Sequence, residues 1–132
     1  MKNTHKMSQD TVADALNMIK NAKKSGKEEV EIKKISNLLI EVLKIMKQKE
    51  AIKKYKINSK KKSVEVGIGN LSECRAIKPR FTVKKEQIEK YQRRYLPARG
   101  IGTVIISTNK GLMTHEEALT EGTGGCLVAY FY

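Results

Sequence analysis

Acidic residues are scarce in this chain of 132: 14 Asp and Glu stand against 27 Lys and Arg, leaving a formal net charge of +13. A field of that size on a small protein attracts polyanions and repels a like copy of itself, so nucleic acid is the leading partner class and an acidic membrane surface the second. Long apolar runs are also missing. Nothing approaches the roughly 18 apolar residues of a membrane-spanning helix, which predicts a soluble chain. The start, Met1-Lys2-Asn3-Thr4-His5-Lys6-Met7, is polar and has no apolar signal core. The only cysteines, Cys74 and Cys126, have no Cys or His neighbours at zinc-ligand spacing. That predicts free thiols in a reducing compartment, with neither metal nor cofactor.

The parts of a catalytic site are missing too. His115 adjoins Glu116 and Glu117, but at a helix start, where the carboxylates answer the helix dipole and the histidine is expected to be solvated. Gly67-Ile68-Gly69-Asn70 lacks the third glycine and following helix of a dinucleotide fingerprint. Gly122-Thr123-Gly124-Gly125 precedes a strand, the wrong order for a phosphate loop. No enzyme is expected.

What is present is organised by charge. Residues 1–100 hold 26 basic and 11 acidic side chains, whereas 101–132 hold Lys110 alone against Glu116, Glu117 and Glu121. Any phosphate contact in the last third therefore depends on hydroxyls, amides, backbone N–H groups and that one lysine.

Along the chain, Val12, Leu16 and Ile19 recur at helical spacing after Asp10, a candidate N-cap, and the pattern stops at Ser25-Gly26. Glu28–Ile32 alternates as a short strand, and Ser36 caps a second, more apolar helix through Met46 that forms the buried centre of the N-terminal half. Between Lys44 and Lys62 lie nine lysines and one glutamate. Here 51–57 reads as an edge strand and 58–62 as a basic loop, with 63–68 returning beside it. Two readings of these lysines stand: blunting an exposed edge, and facing phosphate, which the total charge favours. Further strand material at 76–78 and 81–83 is broken by Pro79. A helix over 85–96 ends before Pro97, followed by a turn through Arg99 and Gly100.

The last third is the most regular. Gly102–Ile106 is a β-branched run of the kind buried on both faces. Ser107-Thr108-Asn109-Lys110-Gly111 reads as a polar loop. Its hydroxyls suit phosphate or ribose, its amide a base edge or ribose, its lysine one phosphate, and Gly111 a close-approach backbone. On composition alone such a loop is more often a plain turn; the rigid strand feeding it and the basic chain around it favour a contact. Thr114-His115-Glu116-Glu117 is a capping box opening a short helix that Gly122 ends, and 126–132 is a terminal strand.

Gly102, Ile105-Ile106-Ser107-Thr108, Gly111-Leu112-Met113 and Ala118 together resemble the signature of the universal small-subunit ribosomal protein eight family, called fifteen-a in animal cytosolic ribosomes. Ala13-Asp14-Ala15-Leu16, Asn21-Ala22, Gly26-Lys27, Lys78-Pro79-Arg80-Phe81, Leu96-Pro97 and Thr123-Gly124-Gly125 extend the resemblance over roughly residues 10–132. The segments around Pro79 and Pro97 look like its archaeal and eukaryotic branch. The resemblance implies an α+β fold of two interlocked small subdomains: a mobile tail at 1–9, helix-strand-helix-strand-strand over 10–70, and over 71–132 a sheet with a short helix and the RNA-contact loop.

It further implies a structural protein of the small subunit that binds the central domain of small-subunit ribosomal RNA and supports subunit assembly. Neighbouring ribosomal proteins are expected as partners, with no membrane and no small-molecule substrate, and the chain as a monomer within the cytoplasmic ribosome. A eukaryotic source would add nucleolar assembly. The family's main contact maps to Ser107, Thr108, Asn109 and Lys110, shaped by Gly111, with Gly124 and Gly125 close by. A second surface maps to Lys20, Lys23, Lys24 and Lys27. Where the family has a Gly-Tyr-Ile turn this chain has Glu50-Ala51-Ile52, which predicts a shifted or strained strand start. Asn109 and Cys126 also depart, from a hydroxyl or small residue and from a charged one. The competing readings are a basic DNA-binding module built on the first two helices and a non-ribosomal RNA-binding protein.

Overall fold

The computed structural model describes residues 2–98 and 100–132, with side chains from Thr11 onward. Met1, the side chain of His5 and Arg99 of the expected turn lie outside the described residues. Contacts divide the chain into two units, Met1–Cys74 and Arg75–Tyr132.

In the first unit, α1 (Lys2–Lys24) is longer than its apolar pattern predicts. The segment expected as a tail is helical from Lys2, and Asp10 lies inside the helix instead of capping it. The reason is the absence of Gly and Pro from 2–24. Once burial of Val12, Leu16 and Ile19 fixes the helix, each residue added toward the N-terminus gains a hydrogen bond without a new nucleation cost. Gly26 ends it at φ +78, with Gly26 N–H bonding Lys23 O at 3.1 Å and Lys27 N–H bonding Ala22 O at 2.9 Å.

After β1 (Glu29–Ile32), Ser36 Oγ accepts from Leu39 N at 3.2 Å and opens α2 (Asn37–Gln48). Leu39, Val42, Leu43, Ile45 and Met46 are buried, so α2 is the apolar centre its composition predicts. Strands β2 (Ile52–Asn58) and β3 (Ser63–Ile68) complete an antiparallel sheet in the order β1-β3-β2. The lysine-bearing strand is thus an edge, as expected.

The departure at Glu50-Ala51-Ile52 has the expected consequence. Glu50 sits at φ 64, in the left-handed region where a side chain costs roughly 1–2 kcal/mol. The β2–β3 register also shifts between Ile52 and Lys54. Glu50 keeps the conformation because its N–H bonds Lys47 O at 3.0 Å while its carbonyl accepts from Asn70 N at 3.0 Å.

The second sheet has five strands: β4 (Cys74–Ala76), β8 (Gly125–Phe131), β6 (Thr103–Thr108) and β7 (Gly111–Thr114) in that order, with β5 (Thr82–Val83) also paired to β8. Strand β7 corrects the expectation that the polar loop leads straight into the helix. Four residues whose alternation is too short to read alone are held by pairing with β6, from Ile105↔Thr114 to Thr108↔Gly111. A 3-10 turn (Lys85–Gln87) runs into α3 (Ile88–Tyr95), which ends where Leu96 turns extended before Pro97. The helix α4 (His115–Glu121) starts in the expected capping box and ends at Gly122, φ 70.

The core of this unit joins Ile88 and Leu96 to Val104, Ile106, Ala118 and Leu127. Half-buried aromatics pack on it, with the ring centroids of Phe81 and Tyr91 5.1 Å apart and those of Tyr95 and Tyr130 5.0 Å apart. Strand β6 is buried from Thr103 through Ile106, as its β-branched run predicts.

Candidate nucleic-acid interface

Strand β6 carries the expected contact residues at its C-terminal end. Side chains alternate along a strand, so with Ile106 in the core, Ser107 points to the opposite face. Ser107 lies between Leu112 of β7 and Cys126 of β8, and Cys126 in turn faces Thr82. One row thus places Thr82, Cys126 and Ser107 side by side.

The polar segment is a tight hairpin rather than a loop: Ser107 and Thr108 belong to β6, and Thr108 pairs with Gly111 across Asn109-Lys110. Thr108 Oγ1 donates to Gly111 O at 2.9 Å and accepts from Lys110 N at 3.1 Å. Its hydroxyl therefore fixes the turn, and Gly111, at φ 112, supplies the backbone conformation. The side chains of Ser107 and Asn109 have no hydrogen-bond partner among the described residues. Asn109 and Lys110 are exposed. Lys110 Nζ donates to Glu121 Oε1 at 2.7 Å, a bond that raises the lysine pKa and lowers that of the carboxylate.

The glycine pair lies beside this tip. A β-carbon on Gly125 would overlap Ser107 O, and one on Gly124 would overlap Val83 O and come within 3.0 Å of Lys84 Cα and Lys85 N. The backbone can approach this closely only without side chains. That approach brings in two residues the sequence reading missed. Lys84 and Lys85, both exposed, reach the glycine pair because Val83 pairs with Gly125. The net-negative segment is therefore not limited to Lys110 for cationic contact. The missed signal was weak: Lys84-Lys85 follows a two-residue strand, and nothing in the sequence states which strand that one joins.

The histidine expected to be solvated is buried, with 3% of its surface exposed. His115 Nδ1 accepts from Val104 N at 3.1 Å, so the ring turns inward to satisfy a strand N–H of β6 that would otherwise be buried unpaired. Charge and sequence position suggested solvent; the packing of α4 against β6 decides otherwise.

The second expected surface lies in the first unit. Lys20 Nζ pairs with Glu73 Oε1 at 3.1 Å, its side chain 15% exposed, and Lys23 Nζ donates to Gly69 O at 3.2 Å. These two lysines hold the 69–73 segment; Lys23, Lys24 and Lys27 are all exposed. In the lysine-rich stretch, Lys47 Nζ lies 5.9 Å from the centre of the Tyr55 ring and Lys54 Nζ 3.5 Å from Glu29 Oε2. Cys74 is buried, and its Sγ donates to Leu16 O at 3.2 Å. Among the described residues there is no cluster of potential metal ligands and no helix long and apolar enough to cross a membrane.

The family model described as ribosomal protein S8 matches residues 10–132. A curated relative, "Small ribosomal subunit protein uS8" of the archaeon Nanoarchaeum equitans (strain Kin4-M), is 41% identical over 129 residues, which cover 96% of this chain and all of the relative. That source agrees with the archaeal and eukaryotic branch read from the segments around Pro79 and Pro97. With the hairpin and the glycine pair side by side at one end of a sheet, and a match that spans both units, this chain belongs to the ribosomal protein S8 family.

Proposed function

We propose that this protein is a structural constituent of the small ribosomal subunit that binds the central domain of small-subunit ribosomal RNA and supports assembly of that domain. The observation that carries the reading is Ser107: a half-buried hydroxyl without a partner among the described residues, set on a strand whose preceding residues are buried. A rigid strand fixes a hydroxyl to within the tolerance that shape and 2′-hydroxyl recognition of RNA demands. Asn109 adds a donor and acceptor pair at the tip, and Lys84, Lys85 and Lys110 supply charge. Lys23, Lys24 and Lys27 form the exposed part of a second contact, with Lys20 more buried and paired to Glu73, and the remaining lysines contribute affinity that falls with salt. The chain acts as a monomer among neighbouring small-subunit proteins in cytoplasmic ribosomes and has no catalytic role.

The test is binding of the full chain to a transcript of the central domain. Ser107→Ala is expected to weaken binding by about 5- to 15-fold, the worth of roughly one hydrogen bond, and to leave the salt dependence unchanged. Lys24→Ala is expected to weaken it less and to reduce the salt slope by about one phosphate. Equal binding by wild type and Ser107→Ala would refute the role of the hairpin. Equal affinity for duplex DNA at moderate salt would favour the basic DNA-binding module instead.

A further inference from the structure

The one lysine of the net-negative segment is already occupied. Lys110 Nζ lies 2.7 Å from Glu121 Oε1, with side chains 69% and 45% exposed. The pair closes the hairpin tip onto the end of α4, because β7 and α4 return the chain to the level of the turn within eleven residues. Glu121 has no second partner among the described residues and no basic residue shares its helical last turn. Its carboxylate therefore sits where a phosphate oxygen would sit against the same ammonium group.

We propose that Glu121 masks Lys110 in the free protein and sets the affinity of the hairpin for RNA by competing with phosphate for it. The inference rests on the reading of this hairpin as the RNA contact. When the tip meets RNA, the ammonium exchanges one charge-assisted hydrogen bond for another, and the carboxylate released beside the phosphate opposes binding. The other charges on this helix, Glu116 and Glu117, are committed elsewhere: Glu117 Oε1 accepts from Thr114 N at 2.9 Å in the capping box, and Glu116 has a partner of its own. Glu121 is thus the carboxylate that governs the tip. An arbitrary polyanion attracted by the lysines of the first hundred residues meets a neutralised hairpin. A cognate RNA that also engages Ser107 and Asn109 displaces Glu121.

The experiment compares wild type, Glu121→Gln, Lys110→Ala, the double variant and Ser107→Ala for binding to a central-domain transcript across a salt series. Glu121→Gln is expected to tighten binding about two- to fivefold at low salt, in line with the worth of an exposed pair, and the gain is expected to shrink as salt screens it. In the Lys110→Ala background the same substitution is expected to give a clearly smaller gain. Unchanged or weaker binding by Glu121→Gln, or an equal gain with and without Lys110, overturns the masking role. If Ser107→Ala binds more weakly than wild type while Glu121→Gln does not differ, the masking alone fails. If Ser107→Ala binds like wild type, the hairpin reading fails and the masking with it.

Discussion

The carbonyl oxygen of Ser107 fills the space into which a β-carbon on Gly125 would project. The start of β8 is pressed against β6 at the residue expected to meet RNA, and the glycine sets how close the two strands come.

Gly125→Ala is therefore expected to push the strands apart and to destabilise the fold by roughly 1–3 kcal/mol, as overpacking does. RNA binding should weaken further than the unfolded fraction explains, because the displaced atom belongs to Ser107. Gly26 is the control, with nothing within 4 Å of an added β-carbon but a φ of +78. Gly26→Ala should cost only the conformational strain, about 1 kcal/mol, and leave hairpin binding intact. Denaturant melts and a binding titration separate the two.

His115 ties α4 to β6 through Val104 N. His115→Phe keeps a ring but removes the acceptor, leaving a buried N–H unpaired at a cost of about 1–3 kcal/mol. Amide exchange at Val104 should accelerate well beyond that of the rest of β6. An unchanged Val104 amide would show that the bond has no role in holding the strand.

Glu50 occupies a left-handed backbone position, φ 64, that glycine adopts without penalty. Glu50→Gly should raise stability by about 0.5–1 kcal/mol, since relief of the strain exceeds the entropy that glycine adds to the unfolded chain. A lower denaturation midpoint would contradict this.

Burial, and secondarily the nearby Glu73 carboxylate, push the Cys74 thiol up from 9.0 to about 12. The neutral thiol is the native form, so its contribution to stability is complete below about pH 9 and is lost as pH rises from there toward 12. Native protein at pH 8 should react with a thiol reagent at Cys126, which is half-buried, and not at Cys74. Cys74→Ala should flatten the loss of stability above pH 9.

Much of this architecture is readable from local pattern. Ser36 and Thr114 announce their helices because a cap is a contact between residues three apart. The burial of β6 is legible in its unbroken β-branched run, and the disturbance at Glu50 in the absence of glycine where the family has one. Each depends on neighbours along the chain, so the sequence holds the necessary information.

Other features depend on pairings between distant residues. Strand β7 exists because β6 supplies its hydrogen bonds. His115 is buried because α4 lies against that strand. Lys84 and Lys85 lie beside the glycine pair because β5 joins β8 at Gly125, and Lys110 is neutralised because α4 ends beside the turn. The sequence by itself determined the charge, its confinement to the first hundred residues, the helix caps and the polar tip, all of which are local or additive properties. Only the tertiary structure decided which side chains of that tip are free to meet a partner. A hydroxyl or an ammonium is available only when no neighbour brought in from elsewhere in the chain has satisfied it first.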